Sequence, residues 1–266
     1  MRRAVLAALL VFAAACEETP PPKTGLSYSQ NAEKAYQEAM KEFNSHNWAD
    51  SQPLFAEVKR KYSYTRWARL AELRYADADF EQEKFAEALR EYKQFIHDHR
   101  NDPDVEYARS RIAETNYKQI SDSFLLPSAD ERDQTAIRDA YADLLSFLKD
   151  YPKSKETAHA CKLLDDVLGR LIRHELYVAR FYLSRDNFEA AVSRTQFAIR
   201  SYSGNDLCPA STSLIPDALL LLGETYLRMH RDADARTAFE ALVKSYPDSE
   251  LVTQAKRYIA TLGKPG

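Results

Sequence analysis

The sequence predicts an all-α protein: five helix pairs stacked side by side and closed by a C-terminal capping helix. Three observations predict it. The composition is rich in Ala, Leu, Glu, Arg, Lys and aromatics, with only 6 Gly in 266 residues, which is a helical mixture. A fifteen-residue pattern recurs five times along the chain. Within it, the apolar positions fall three and four apart, the spacing that returns to one face of a helix.

The elements follow in chain order. Arg2 and Arg3 precede an apolar run, Ala4–Ala15. Its length suits the core of a signal segment and falls short of the roughly 20 residues that span a bilayer. Residues 1–15 are therefore expected to be a signal peptide removed before Cys16. The run ends "AAAC", which resembles the lipobox of bacterial lipoproteins, with Cys16 as the lipidated residue. Ala13 departs from the Leu most common in that box. Glu17 follows, where an Asp would resemble an inner-membrane retention signal, so the expected destination is the outer membrane, facing the periplasm. The alternative is a soluble exported chain that begins with Cys. Residues 16–27 continue as "CEETPPPKTGLS". That proline-rich polar composition suits an extended tether.

The repeats begin near Tyr28. Five segments align on a terminal aromatic or histidine: those ending at Tyr62, His99, Tyr151, Tyr202 and Tyr246. Their fourth position is always small (Ser51, Ala88, Ala140, Ala191, Ala235). The eighth is Phe55, Tyr92, Leu144, Thr195 or Phe239. The eleventh is Val58, Phe95, Phe147, Ala198 or Leu242. These three positions share a face, and the small fourth residue lets a partner helix approach closely. A second periodic segment precedes each copy, and short polar turns such as "NSHN" and "SRDN" join the pairs. The unit resembles the tetratricopeptide repeat, a helix–turn–helix of about 34 residues. The spacings between terminal residues are 37, 52, 51 and 44 residues, so the array is expected to be irregular. A loop at "SFLLPSADERDQ" and a long helix from about Ser154 to Ser184 account for the excess. That helix is expected to join two sub-bundles. Residues 28–125 would hold repeats 1 and 2 and the first helix of repeat 3. Residues 126–266 would hold the rest of repeat 3, the long helix, repeats 4 and 5 and the cap, "ELVTQAKRYIATLG".

Catalytic chemistry is not evident. There is no glycine-rich phosphate loop and no Gly-x-Ser-x-Gly elbow. "HELYV" at His174 starts like a zinc-protease motif, but Val178 stands where the second His belongs. His97 and His99, two apart, point to different helix faces, so no metal site is expected. The carboxylates read as solvated helix faces. The expectation is no enzyme activity and no cofactor. A net charge of −3 argues against a nucleic-acid partner. In an exported chain Cys161 and Cys208 can oxidise. Folding the fourth pair at Arg185–Asp186 brings them near each other, so they are either a disulfide or two separate thiols.

Three stretches carry a family resemblance. "RDQTAIRDAYADLLSFLKDYPKS", "LYVARFYLSRDNFEAAVSRTQFAIRSY" and "DPDVEYA" resemble the YfiO/ComL family of lipoproteins of the outer-membrane β-barrel assembly (BAM) machinery. The resemblance covers almost the whole chain. It departs at "SYTRW" (Ser63–Trp67), where the family tends to carry Pro-Phe-Gly-Pro-Tyr, and at Ser203, where Pro is usual. It implies an adaptor in β-barrel protein insertion. The C-terminal repeats would dock on a periplasmic domain of a BamA-type barrel insertase, and other BAM lipoproteins are further partners. The N-terminal repeats would meet unfolded outer-membrane protein clients. Tyr36, Tyr62, Tyr64, Trp67 and Tyr75 are the candidate client-binding aromatics, with repeat core as the other reading of Tyr36 and Tyr75. At position seven no other copy has Arg, but the fourth has Arg194. By resemblance Arg194, with Arg185 close by, would pair with an acidic residue of the insertase; the alternative is an exposed arginine on a polar face. A rival function for the same fold is a periplasm-facing repeat lipoprotein scaffolding another envelope complex, in cell division or polysaccharide export.

Overall fold

The computed structural model describes residues 25–120, 133–203, 207–208 and 214–262. Within them the chain forms eleven helices: α1 (Gly25–Asn44), α2 (Trp48–Lys61), α3 (Arg66–Glu81), α4 (Phe85–Asp98), α5 (Val105–Lys118), α6 (Thr135–Asp150), α7 (Thr157–Leu183), α8 (Phe188–Tyr202), α9 (Ile215–Arg228), α10 (Asp232–Ser245) and α11 (Val252–Thr261). They make five antiparallel pairs and a closing helix. Each helix packs on the next, and first helices of neighbouring pairs also touch, α1 on α3, α5 on α7 and α7 on α9. Cys16 and Ser123–Arg132 lie outside the described residues. Gly25–Ser27 open α1 and are not part of a tether.

The repeated positions build the core. Ser51, Ala88, Ala140, Ala191 and Ala235 have no exposed surface, and no residue at the eighth or eleventh position is more than 2% exposed. The small fourth residue has a counterpart in α9. A Cβ on Gly223 would lie 2.3 Å from the Phe239 ring, so only glycine lets α10 seat that fully buried side chain.

Four of the pairs turn in the same way. His46, Glu83, Asp186 and His230 each adopt a left-handed conformation. The next amide then donates to a carbonyl five residues back: Asn47 to Glu42, Lys84 to Asp79, Asn187 to Tyr182 and Arg231 to Tyr226, at 2.9–3.0 Å. This closure satisfies orphan carbonyls at a helix end and usually recruits glycine. Here four non-glycine residues accept the strain.

Three apolar clusters run along the stack. One lies between Tyr36 and Ala71, a second between Leu73 and Ile112, and the largest between Ala113 and Ala255. The divisions fall within α3 and within α5. The long helix α7 does not bridge two cores, because its buried face lies inside the largest one. Cys161 of α7 and Cys208, beyond α8, form a disulfide.

Candidate docking surfaces

At the α7–α8 hairpin, Asn187 stops the chain between the helices. Its side-chain oxygen accepts from the Ala190 amide at 3.2 Å, which starts α8. Ala191, Thr195, Ala198 and Tyr202 turn inward. Thr195 is tolerated there because its hydroxyl donates to the Ala191 carbonyl at 2.8 Å. The hairpin also carries three of the five exposed large hydrophobics among the described residues: Tyr177, Phe181 and Phe197, the last with its ring 5.8 Å from that of Tyr202. Tyr177 and Phe181 are one turn apart on α7. Phe197 stands one turn from Arg194 on α8.

Both predicted arginines belong to this hairpin. The Arg185 guanidinium lies 3.7 Å over the Phe181 ring, a cation–π contact that also flattens the charge onto the surface. The Arg194 side chain is 46% exposed, yet its Nη1 reaches Glu175 Oε2 at 3.4 Å, and that carboxylate is 7% exposed. Arg194 is therefore not a free arginine on a polar face. One edge of its fork compensates a buried charge, and its other donors have no bonded partner among the described residues. Glu175 also acts on Tyr202, whose hydroxyl is pushed up by burial and further by that negative charge.

The N-terminal aromatics are brought together only in part. Tyr36 is a core residue, a correction to its expected place on a client-binding surface. It is 7% exposed, with the Trp67 ring at 5.2 Å and the Phe55 ring at 5.9 Å. Trp67 is half-buried against it. Tyr62 packs on Tyr28 at 5.2 Å, and the Tyr28 hydroxyl donates to the Lys61 carbonyl at 2.7 Å. Thr65 caps α3, accepting from the Ala68 amide at 3.2 Å and donating to the Tyr62 carbonyl at 2.8 Å. Between these anchors Tyr64 stands clear of the body, 94% exposed. Tyr75 is elsewhere, in a cleft of about 240 Å³ with Phe55, Lys59, Ala71, Glu72 and Glu91. A second cleft of about 390 Å³ lies between α8, α9 and α10, lined by Ile199, Leu219, Leu222, Tyr226 and Ala238 among others.

One arrangement was not visible in the sequence. Asp77 is buried and corrects the expectation that the carboxylates are solvated. Arg74 and the Tyr92 hydroxyl donate to it. The Tyr107 hydroxyl lies 2.9 Å from both of its oxygens, and Arg111 Nε lies at 3.4 Å. Burial, and then the Asp77 charge, push the Tyr92 and Tyr107 hydroxyls up. Burial alone would lower the two guanidiniums, but Asp77 and the tyrosines raise them. This network joins α3, α4 and α5 through Tyr92 and Tyr107 of the second apolar cluster. Elsewhere, His97 bonds to Asp98 and His99 to Glu72. Among the described residues no group of three potential metal ligands converges, and no helix is long and apolar enough to cross a membrane.

The family model described as "YfiO: Outer membrane lipoprotein" matches residues 29–238. The chain is 28% identical over 250 residues to a protein of Neisseria meningitidis named outer membrane protein assembly factor BamD, covering 93% of this chain and 91% of that one. A protein of the same name from Caulobacter vibrioides is 27% identical over 256 residues, covering 96% and 79%. One from Xylella fastidiosa is 26% identical over 252 residues, covering 92% and 82%. Among solved structures, a tetratricopeptide repeat protein from Parabacteroides merdae aligns with TM-score 0.36 at 11% identity, over 87% of this chain and 99% of that one.

Proposed function

Because the chain belongs to the YfiO family of outer membrane lipoproteins, we propose that it is an assembly factor for outer-membrane β-barrel proteins, working as a two-ended adaptor of the BAM complex. The Neisseria, Caulobacter and Xylella relatives, matched over 79–91% of their own length, carry that name. Cys16 carries the lipid that holds it to the outer membrane, and two or more acyl chains anchor stably where one does not. The repeats hold other proteins and perform no catalysis.

The C-terminal end meets the barrel insertase through the α7–α8 hairpin. The observation that carries this is that one hairpin exposes three large aromatics and two arginines, Tyr177, Phe181 and Phe197 with Arg185 and Arg194, of which Arg185 covers Phe181. Aromatics and arginine are the residues that dominate binding energy at interfaces. Glu175 fixes one edge of the Arg194 fork, which leaves the other edge oriented for a carboxylate of the partner. At the N-terminal end, an unfolded client strand places a side chain in the Tyr75 cleft, where Lys59 lies at the wall. Extended segments are recognised by such alternating pockets.

The test is a pull-down of tagged protein from solubilised outer membranes, wild type beside Arg194→Lys. Lysine keeps a charge for Glu175 but loses the fork. The insertase is expected with wild type, and its affinity is expected to fall by about 1–2 kcal/mol in the variant with unchanged thermal stability. If the insertase never comes down and proteins of cell division or polysaccharide export do, the chain is a scaffold of another envelope complex.

A further inference from the structure

The turn between α2 and α3 has two features that neither fold nor capping requires. Tyr64 is the most exposed large apolar side chain described, at 94%. Arg66 is the first residue of α3, where the positive end of the helix dipole opposes a cation. No acidic residue in the first turn of α3 offsets it. The last turn of α2 adds Lys59, Arg60 and Lys61. Lys59 pairs with Glu72 and Lys61 with Glu57. Arg60 and Arg66 are exposed and have no hydrogen-bonded or ion-paired carboxylate among the described residues.

The position of this tip in the molecule is the second observation. Tyr28, in the first turn of α1, packs on Tyr62 and bonds to the Lys61 carbonyl. The tip is therefore fixed to the start of α1, where Leu26 is also exposed. Cys16 precedes Gly25 by nine residues, a reach of at most roughly 30 Å. Whatever lipid Cys16 bears, the start of α1, to which the tip is fixed, stays within about that distance of it.

We infer that the Arg60–Tyr64–Arg66 tip is a second membrane contact, taking the headgroups of anionic phospholipids while the acylated Cys16 holds the chain. This rests on the reading of Cys16 as lipid-bearing. An aromatic ring flanked by cations is the composition that sits at a membrane–water boundary. Basic residues near an anionic surface add attraction one by one. Tyr64 projects from a convex turn, a shape that meets a plane, whereas a client strand needs a concavity. The tip adds a second point and restricts how the array faces the membrane.

Vesicle flotation of four proteins tests it. The acylated wild type on phosphatidylcholine vesicles reports the lipid alone, and its failure to float would remove the lipid reading and nothing else. The mature chain from residue 16 with Cys16→Ser, which carries neither leader nor acyl group, is expected to float with vesicles containing phosphatidylglycerol and not with phosphatidylcholine alone. Adding Arg60→Glu and Arg66→Glu is expected to weaken that binding at least tenfold, since each cation contributes about fivefold. Tyr64→Ser is expected to weaken it with both arginines present. Circular dichroism should show unchanged helicity in every variant. Equal flotation on both vesicle types, or none, overturns the proposal. So does loss, in the arginine variant, of affinity for a synthetic peptide ending in a phenylalanine carboxylate without any change in flotation, which would make the tip a client site.

Discussion

At the scale of single residues, Arg194 has two duties, and its variants should separate them. Arg194→Glu sets a second carboxylate against buried Glu175, so it should lower stability as well as docking; Arg194→Lys should affect docking alone. Thermal melts of the two variants check the split. Asp77 carries higher stakes. Asp77→Ala would strip half-buried Arg74 of its carboxylate and leave Arg111 with Glu114 and Glu81 alone, with an expected loss of about 3 kcal/mol in denaturant titration. Asp79 behaves in the opposite sense. Burial raises its carboxyl, only partly offset by the 2.7 Å bond from Gln52. The folded chain thus binds that proton more tightly than the unfolded chain. Its contribution is best below the ordinary carboxylate value of 3.8 and is lost as pH rises through the raised folded value. Asp79→Asn should therefore raise the melting temperature at neutral pH, with the gain fading in acid. None of these pairings was legible in the sequence. Glu175 and Arg194 are nineteen residues apart, and a charged residue has no periodic signature to show that it faces inward.

At the scale of elements, the hairpins were the most legible part. Period and side-chain size together identified the inward positions of all five second helices, because packing two helices closely demands both. Tyr36 shows the limit of that reading. Its spacing suited a core and its chemistry suited a binding surface, and only Phe55 and Trp67 on neighbouring helices decide between them. Gly223 was invisible for a similar reason, because the ring it admits belongs to another helix. Gly223→Ala should cost about 1–3 kcal/mol through overpacking on Phe239, against the small gain alanine normally brings to a helix. The turns offer the reverse experiment. Glu83 is exposed and left-handed, so Glu83→Gly should stabilise the protein by up to about 1 kcal/mol, seen as a higher denaturant midpoint with an unchanged slope.

At the scale of the molecule, irregular repeat spacing signalled an uneven array, but not where it is uneven. The apolar clusters part within α3 and within α5, and a polar network ties α3, α4 and α5 together across the middle one. Ordinary hydrophobic periodicity cannot reveal such a boundary, because α5 keeps its helical pattern straight through it. The disulfide is a further whole-chain constraint, since it closes a loop of 47 residues around the α7–α8 hairpin. Chain-entropy reasoning gives such a loop about 4 kcal/mol. Reduction should lower the stability of the C-terminal array and leave hydrogen exchange in α1–α4 unchanged, because those helices belong to other clusters.

The same cross-link has a mechanical meaning. If one end of the chain grips a strand being drawn away while the other is fixed to the membrane machinery, the protein is under tension. Residues between Cys161 and Cys208 cannot extend, whatever the pull, until a covalent bond is cut. The hairpin bearing Arg194 lies inside that inextensible ring. Stretched from its termini in a force instrument, the oxidised chain should come up short of the reduced one by about 150 Å of contour length, so the coupling hairpin should be spared full extension while the links on either side are not.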